Sequence, residues 1–409
     1  MNEKQNKIDR RNFLKTVGAA GMASALARVT TAEPNEPNAP DKKKESKFPQ
    51  VPKRKLGKTG VEVSCLALGT MFNLVENQII LRRSLQLGVN YWDTANIYAN
   101  GQSEIGIGKF LEKNPDARKK LFIVSKASRA TTVEEVEQRL QTSLERMKTD
   151  YIDLYYGVHV MSNPDRLTNE LKQWAEKAKK RGVIKFFGFS SHSNMAECLA
   201  AAPALGWIDA ALVVYNFRVM QDKKLQAAVE ACHKAGIGLT AMKTQGKSIE
   251  TEGDKKLTDH FLKKGFTEGQ AKIKVVLDDK RFSSLAVRME NISLLNMNVA
   301  AALDKTKLTQ ADKEVFKQYA DSTCTGYCAG CANICNSVLP DTPYVSEIMR
   351  YLMYYNSYGD RDRARELFAQ LPDGVKKKLL STDYTAAEAR CPQHLPIGKY
   401  VAQAFTKLA

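Results

Sequence analysis

Short apolar runs recur along this chain at roughly thirty-residue intervals, and segments of helical spacing fill the gaps between them. The runs are Cys65–Gly69, Tyr91–Thr94, Leu121–Lys126, Tyr151–Tyr156, Ile184–Ser190, Ala211–Tyr215, Ile237–Ala241 and Ser284–Val287. Each is short and almost continuously apolar, as a parallel strand covered on both faces must be. After Thr132, residues Val133, Val136, Leu140, Leu144 and Met147 keep one helical face, and Thr132 with Glu135 forms a capping box. Eight strand–helix repeats over about 250 residues predict an α/β fold, a (β/α)8 barrel over residues 53–306. Ahead of it, Lys55-Leu56 and Val61 to Ser64 flank the turn Gly57-Lys58-Thr59-Gly60, a hairpin suited to closing the bottom of the barrel.

Ionisable residues stand where these runs end. Asp93 closes the Tyr91-Trp92 run and Tyr98 follows it; Lys126 closes Leu121 to Val124; His159 follows Tyr151 to Tyr156. Strand ends on one rim are where such barrels keep their chemistry. A phenol is a poor proton donor until its anion is stabilised, and a nearby ammonium supplies that stabilisation. Asp93, Tyr98, Lys126 and His159 gathered at that rim can lower the phenol's pKa so that it delivers a proton to a carbonyl oxygen, which points to carbonyl reduction.

These residues also carry a family resemblance. Lys55-Leu56-Gly57-Lys58-Thr59-Gly60, Gly69-Thr70-Met71, Asp93-Thr94-Ala95-Asn96-Ile97-Tyr98 with Ser103-Glu104, Val124-Ser125-Lys126, His159, Gly188-Phe189-Ser190-Ser191-His192 and Tyr215-Asn216 together resemble an aldo-keto reductase over about residues 53–303. The resemblance implies a TIM-type barrel and catalytic residues Asp93, Tyr98, Lys126 and His159. It also implies a nicotinamide cofactor, NADP or NAD, held by Gly69, Thr70, Met71, Asp93, Ser190, Tyr215, Met242, Arg288 and Asn298, with Tyr215 stacked on the nicotinamide ring. One departure stands out. After the last strand the family usually sets two basic residues around a hydroxyl for the 2′-phosphate, and here Arg288 is followed by Met289 with Leu294 at the second basic position.

From about Thr306 the strand period stops, and residues 307–409 read as a second, mainly helical module with Val345, Ile348, Leu352 and Tyr355 on one helical face. It holds Cys324, Cys328, Cys331 and Cys335, then Cys391-Pro392 far downstream. This pattern resembles one half of a bacterial ferredoxin, and with Cys391-Pro392-Gln393-His394-Leu395-Pro396-Ile397 it fits the ferredoxin-like tails of a subgroup of exported aldo-keto reductases. The resemblance implies one [4Fe–4S] cluster on Cys328, Cys331, Cys335 and Cys391; the ferredoxin order would use Cys324 and release Cys335. A four-thiolate zinc site and disulfides are the other readings of the same thiols. Cys65, Cys198 and Cys232 sit inside barrel elements as core thiols.

Arg10-Arg11-Asn12-Phe13-Leu14-Lys15, followed by the mildly apolar Thr16 to Ala27, resembles a twin-arginine export signal over residues 1–32. Residues 33–52, with Pro34, Pro37, Pro40 and Lys42-Lys43-Lys44, read as a disordered linker. The expected partners are therefore the twin-arginine export machinery, a small carbonyl or alcohol substrate and a redox partner protein, in a periplasmic or other extracytoplasmic location. The net charge of +17 invites a nucleic-acid reading, but its lysines and arginines are scattered and lack aromatic interleaving, so no nucleic-acid partner is expected. No apolar run reaches the ~18 residues of a membrane span. The competing function is a nucleotide-retaining binding or sensor protein with a structural metal cluster.

Overall fold

The computed structural model describes residues 46–250, 255–342 and 344–409; the expected signal segment 1–32 and residues 33–45 of the expected linker lie outside them. Strands β1 (Lys53–Lys55) and β2 (Glu62–Ser64) pair antiparallel, Arg54 opposite Val63. Eight strands follow: β3 (Leu66–Gly69), β4 (Tyr91–Asp93), β5 (Phe122–Lys126), β6 (Ile152–Met161), β7 (Ile184–Ser191), β8 (Ala210–Val214), β9 (Gly238–Met242) and β10 (Phe282–Arg288). They close into one parallel barrel in chain order, with β10 pairing back onto β3 at Leu285–Leu66. The hairpin seals the bottom. The Arg54 guanidinium donates to the carbonyls of Phe282 at 2.8 Å and Leu277 at 2.6 Å, satisfying backbone groups that the barrel end leaves over. Gly57, at φ +51°, lies so close to the Gly236 carbonyl that a β-carbon would come within 2.2 Å of it.

The outer ring is α1 (Gln78–Gln86), α2 (Gln102–Lys113), α3 (Val133–Met147), α4 (Asn169–Lys180), α5 (Met195–Leu205), α6 (Lys223–Lys234), α7 (Lys255–Lys263), α8 (Glu268–Asp278) and α9 (Ile292–Leu303). The Thr132–Glu135 capping box starts α3, and Val136, Leu140, Leu144 and Met147 are buried beneath it. Strand boundaries fall within a residue or two of the apolar runs, with one exception. Strand β6 continues past the expected end at Tyr156 to Met161, its register against β7 slipping twice and Val160 adopting φ +61°. Such irregularity at a barrel rim changes where side chains point, and His159 lies within the second slip.

Beyond α9 the described residues are helical: α10 (Gln310–Ser322), α11 (Ala332–Val338), α12 (Val345–Ser357), α13 (Arg361–Ala369), α14 (Asp373–Ser381), α15 (Thr385–Arg390) and α16 (Ile397–Leu408). Their core is Ile348, Leu352, Phe368, Leu379, Tyr400 and neighbours, and it takes in Cys391 and, from the barrel side, Ile249. These helices belong to the same compact unit as the barrel, Val51–Ala409. The joints are backbone hydrogen bonds: Asn194 N–H to the Gly330 carbonyl at 2.7 Å and Ile249 N–H to the Gly326 carbonyl at 2.6 Å. Side chains add to them, Asn356 donating to the Ile249 carbonyl and Ser357 to that of Ser248. Among the described residues no helix is long and apolar enough to cross a membrane.

Candidate active site

Strands β4 and β5 bring Asp93 and Lys126 together inside the barrel rim. The Lys126 ammonium is fully buried, 2.9 Å from each carboxylate oxygen of Asp93 and 2.6 Å from the Thr94 carbonyl. Burial alone would discharge this lysine, but the carboxylate beside it prevails and holds it charged. Its Nζ lies 4.7 Å from the centre of the Tyr98 ring.

Tyr98 is fixed by the turn that follows it. Ala99, Asn100 and Gly101 are all left-handed, at φ 47°, 53° and 85°. The turn is braced where α2 starts: Ser103 Oγ bonds Thr70 and Thr94 at 2.7 and 2.8 Å, and the buried Glu104 carboxylate accepts from Ser125 at 2.6 Å. Arg146 reaches from α3 to Glu104 and to the Asn96 carbonyl. The Tyr98 pKa moves opposite to the sequence expectation. Burial raises it, and the pull of Lys126 only opposes that rise, so the phenol keeps its proton at neutral pH.

His159 Nδ1 lies 2.7 Å from Ser128 Oγ, whose backbone N–H donates to Asn96 Oδ1. Burial, then Lys126, Arg350, Arg363 and Arg129, drive its pKa well below the usual range. The ring is a neutral imidazole; in the tautomer in which Nδ1 accepts from Ser128, Nε2 carries the hydrogen.

Asp93, Tyr98 and His159 line one cavity of about 980 Å³, together with Gly69, Thr70, Met71, Met242, Arg288 and Asn298. That volume is at the upper end for a small-molecule site and suits a dinucleotide with a substrate beside it. A match to the aldo/keto reductase family model runs over residues 66–314, more than half of the chain. This chain belongs to the aldo/keto reductase family. It is accordingly an NAD(P)-dependent oxidoreductase. Among solved structures, a Pseudomonas aeruginosa protein described as a candidate aldo-keto reductase is 27% identical, with a TM-score of 0.49, over 62% of this chain and 95% of its own. An aldo-keto reductase from Bacillus halodurans, solved in its holo form, is 20% identical, with a TM-score of 0.55, over 66% of this chain and 96% of its own; it shares the fold.

Two residues expected to hold the cofactor in this aldo-keto reductase point elsewhere. Tyr215, expected to stack on the nicotinamide, is instead stacked on Phe282 at 4.2 Å, and its hydroxyl donates to Asp279 at 2.6 Å. Its ring is thereby committed to the protein interior. Ser190 is fully buried and accepts from the Val160 N–H at 3.1 Å, so it steadies the strand end beside His159 instead of lining the cavity. Arg288 does line it, while pairing with Glu290 at 2.6 Å and Asp360 at 3.6 Å.

The other wall comes from outside the family match. Tyr344, Arg350, Tyr351, Tyr354, Tyr358 and Arg363, on or beside α12 and α13, close the same cavity, and Lys243 and Lys247 join them from the segment after β9. The sequence reading assigned α12 a single apolar face. The residues buried along it (Val345, Ile348, Met349, Tyr351, Leu352, Tyr354) in fact occupy more than one face. A helix apolar nearly all round is covered on both sides, and the run Tyr351-Leu352-Met353-Tyr354-Tyr355 was the signal for it.

Four of the five C-terminal cysteine thiols lie within electrostatic reach of one another. Cys331 precedes α11, Cys335 lies within it, and Cys391 closes α15, which packs on α11. The Cys328 thiol is driven up by burial and then by the charges that Cys331, Cys335 and Cys391 would carry. Cys331 is lifted to about 12 and Cys335 to about 11 by burial and by the other thiols of the group. Cys324 does not figure among these mutual effects, and none of the five is in a disulfide. Among the described residues no three His, Cys, Asp or Glu side chains converge tightly enough for a single metal ion. A small cavity of about 40 Å³ separates Cys328 from the rim residues His192, Lys243 and Arg350.

Proposed function

We propose that this chain is an exported reductase of carbonyl compounds, working in reverse as an alcohol dehydrogenase, with Tyr98 as its proton donor. The observation that carries the reading is the Asp93–Lys126 pair buried against the Tyr98 ring, with His159 opening into the same cavity. Bound nicotinamide supplies or accepts the hydride. The protein's share is the proton and the electrostatics. The phenol of Tyr98 protonates the carbonyl oxygen, the fixed Lys126 charge stabilises the phenolate left behind, and His159 Nε2–H donates to the oxygen as charge gathers there. Arg288, Met71, Met242 and Asn298 are the residues available to hold NADP or NAD. A 2′-phosphate would meet Arg288 already paired with Glu290 and Asp360.

We assign Cys328, Cys331, Cys335 and Cys391 as the thiol donors of one [4Fe–4S] cluster, a set that would have to draw closer on binding it. They supply the required thiolates, and they repel one another as bare anions, so a cationic core would stabilise them together. The cluster would supply one-electron transfer or a structural tie between α11 and α15. Export by the twin-arginine route accords with this reading, because that route carries folded proteins with their cofactors already in place. Two variants test it. Tyr98→Phe should lose roughly 10²–10⁴-fold in carbonyl reduction while nucleotide binding persists, and retention of more than about a third of the activity refutes the assignment. Arg10→Lys with Arg11→Lys should hold the protein in the cytoplasm; unchanged export by fractionation refutes that part.

A further inference from the structure

The reacting end of the cavity is unusually cationic, and its positive charges are unevenly matched. Lys126 is paired with Asp93. Arg129 and Arg363 share Glu366, at 3.9 and 2.7 Å. Arg350 and Lys243 have no carboxylate within 4.0 Å among the described residues. Glu347, one turn earlier on α12, acts on Arg350 only at longer range. Both cations line the cavity that holds Tyr98 and His159. Both also flank the buried phenol of Tyr354: Lys243 Nζ is 4.3 Å and the Arg350 guanidinium carbon 5.8 Å from its ring centre.

We propose that Arg350, with Lys243 beside it, is an anion site that selects carbonyl substrates carrying a carboxylate or phosphate group. The inference rests on the reductase reading above and adds the substrate class to it. Two physical facts support it. A half-buried guanidinium whose partner is the Tyr354 phenol and not a carboxylate carries a desolvation cost in the empty site, and an anionic substrate offsets that cost on binding. Tyr354 already reports what this spot does to negative charge. Burial by itself would raise the phenol, yet Lys243 and Arg350 outweigh burial and bring it down to about 8. The same pair would favour a substrate anion over a neutral group of equal size. Arg350 also acts on both His159 and His192. The bound anion would therefore lie next to the residues that meet the carbonyl, and a short substrate could span both. His192 Nδ1, buried without a hydrogen-bond partner, offers one further polar contact.

The test uses the full-length protein with its cofactors and three matched probes: 4-carboxybenzaldehyde, its uncharged methyl ester and 4-formylphenyl phosphate. Affinity is read by calorimetry and kcat/KM by nucleotide oxidation. Charge-assisted hydrogen bonds of this kind predict that the two anionic probes bind roughly 10- to 100-fold more tightly than the ester. Arg350→Gln should erase most of that ratio, and Arg350→Lys should restore part of it, more for phosphate than for carboxylate. Equal affinity for ester and acid, or a ratio untouched in Arg350→Gln, overturns the anion site. Discrimination in binding with no turnover of any probe would instead refute the reductase reading and leave the anion site standing.

Discussion

Replacing Lys126 by Met removes one half of a pair that the barrel rim buries completely, and the cost can be worked from the structure. Asp93, 4% exposed, would be left with its charge and no ammonium. Breaking a buried pair from one side costs about 3–5 kcal/mol. Asp93 has an escape: it can take up a proton. At pH 7, protonating a carboxyl of ordinary pKa about 3.9 costs about 4 kcal/mol, at 1.36 kcal/mol per unit, so the penalty is capped near that value. At pH 5 the same protonation costs only about 1.5 kcal/mol. The sign follows from linkage. Burial already raises the folded-state pKa of Asp93 against the pull of Lys126, and in the variant it rises further above its unfolded value, so the destabilisation is largest at neutral pH and fades as pH falls toward the unfolded pKa. Denaturant unfolding of parent and variant at pH 5, 6, 7 and 8 gives the difference directly. The companion variant Lys126→Met with Asp93→Asn carries no buried charge and should recover most of the loss at pH 7. A penalty that stays flat from pH 5 to 8, or a double variant no better than the single one, would show that Lys126 is not the counter-ion the geometry makes it.

Three further outcomes follow from the thiol group, the joint to the barrel and Tyr354. Cys391→Ser should remove most of the iron from anaerobically purified protein, whereas Cys324→Ser should leave iron and sulfide unchanged; zinc in place of iron, or iron lost in the Cys324 variant, refutes the ligand set. Gly330 sits at φ +79°, where a β-carbon would come within 2.4 Å of the His192 carbonyl. Gly330→Ala should therefore cost upward of ~1–2 kcal/mol and open residues 307–409 to limited proteolysis before the barrel; an unchanged proteolysis pattern would count against that joint. Tyr354, with its folded pKa near 8, should ionise in ultraviolet difference spectra below the other tyrosines. Its contribution to folding stability should be absent below about pH 8 and grow toward the ordinary phenol value near 10, because the folded state releases that proton first. Tyr354→Phe should abolish the low-pH step, and its persistence would refute the assignment.

The barrel was readable because each parallel strand is buried on both faces and must be written in continuous apolar residues. Asp93 and Lys126 were readable because they close such runs, and a strand end on the barrel rim leaves little choice of where the side chain goes. Tyr215 shows the limit of that logic. It follows Val214 at a strand end, yet the residue's position does not reveal that Asp279 and Phe282, far along the chain, will claim its hydroxyl and ring. Ser190 misleads in the same way, since its partner is the backbone of Val160 in a kinked strand. The wall formed by Arg350, Tyr351 and Tyr354 lies beyond any local pattern. A helix records that it is covered, through its apolar residues, but not by what.

One consequence of that wall concerns traffic. Helices α12 and α13 lie against the nucleotide-sized cavity, and α12 is tied to the segment after β9 by Asn356 and Ser357. A dinucleotide bound in that cavity would have these helices beside it, so its release rate should depend on how often the ties open as well as on its own contacts.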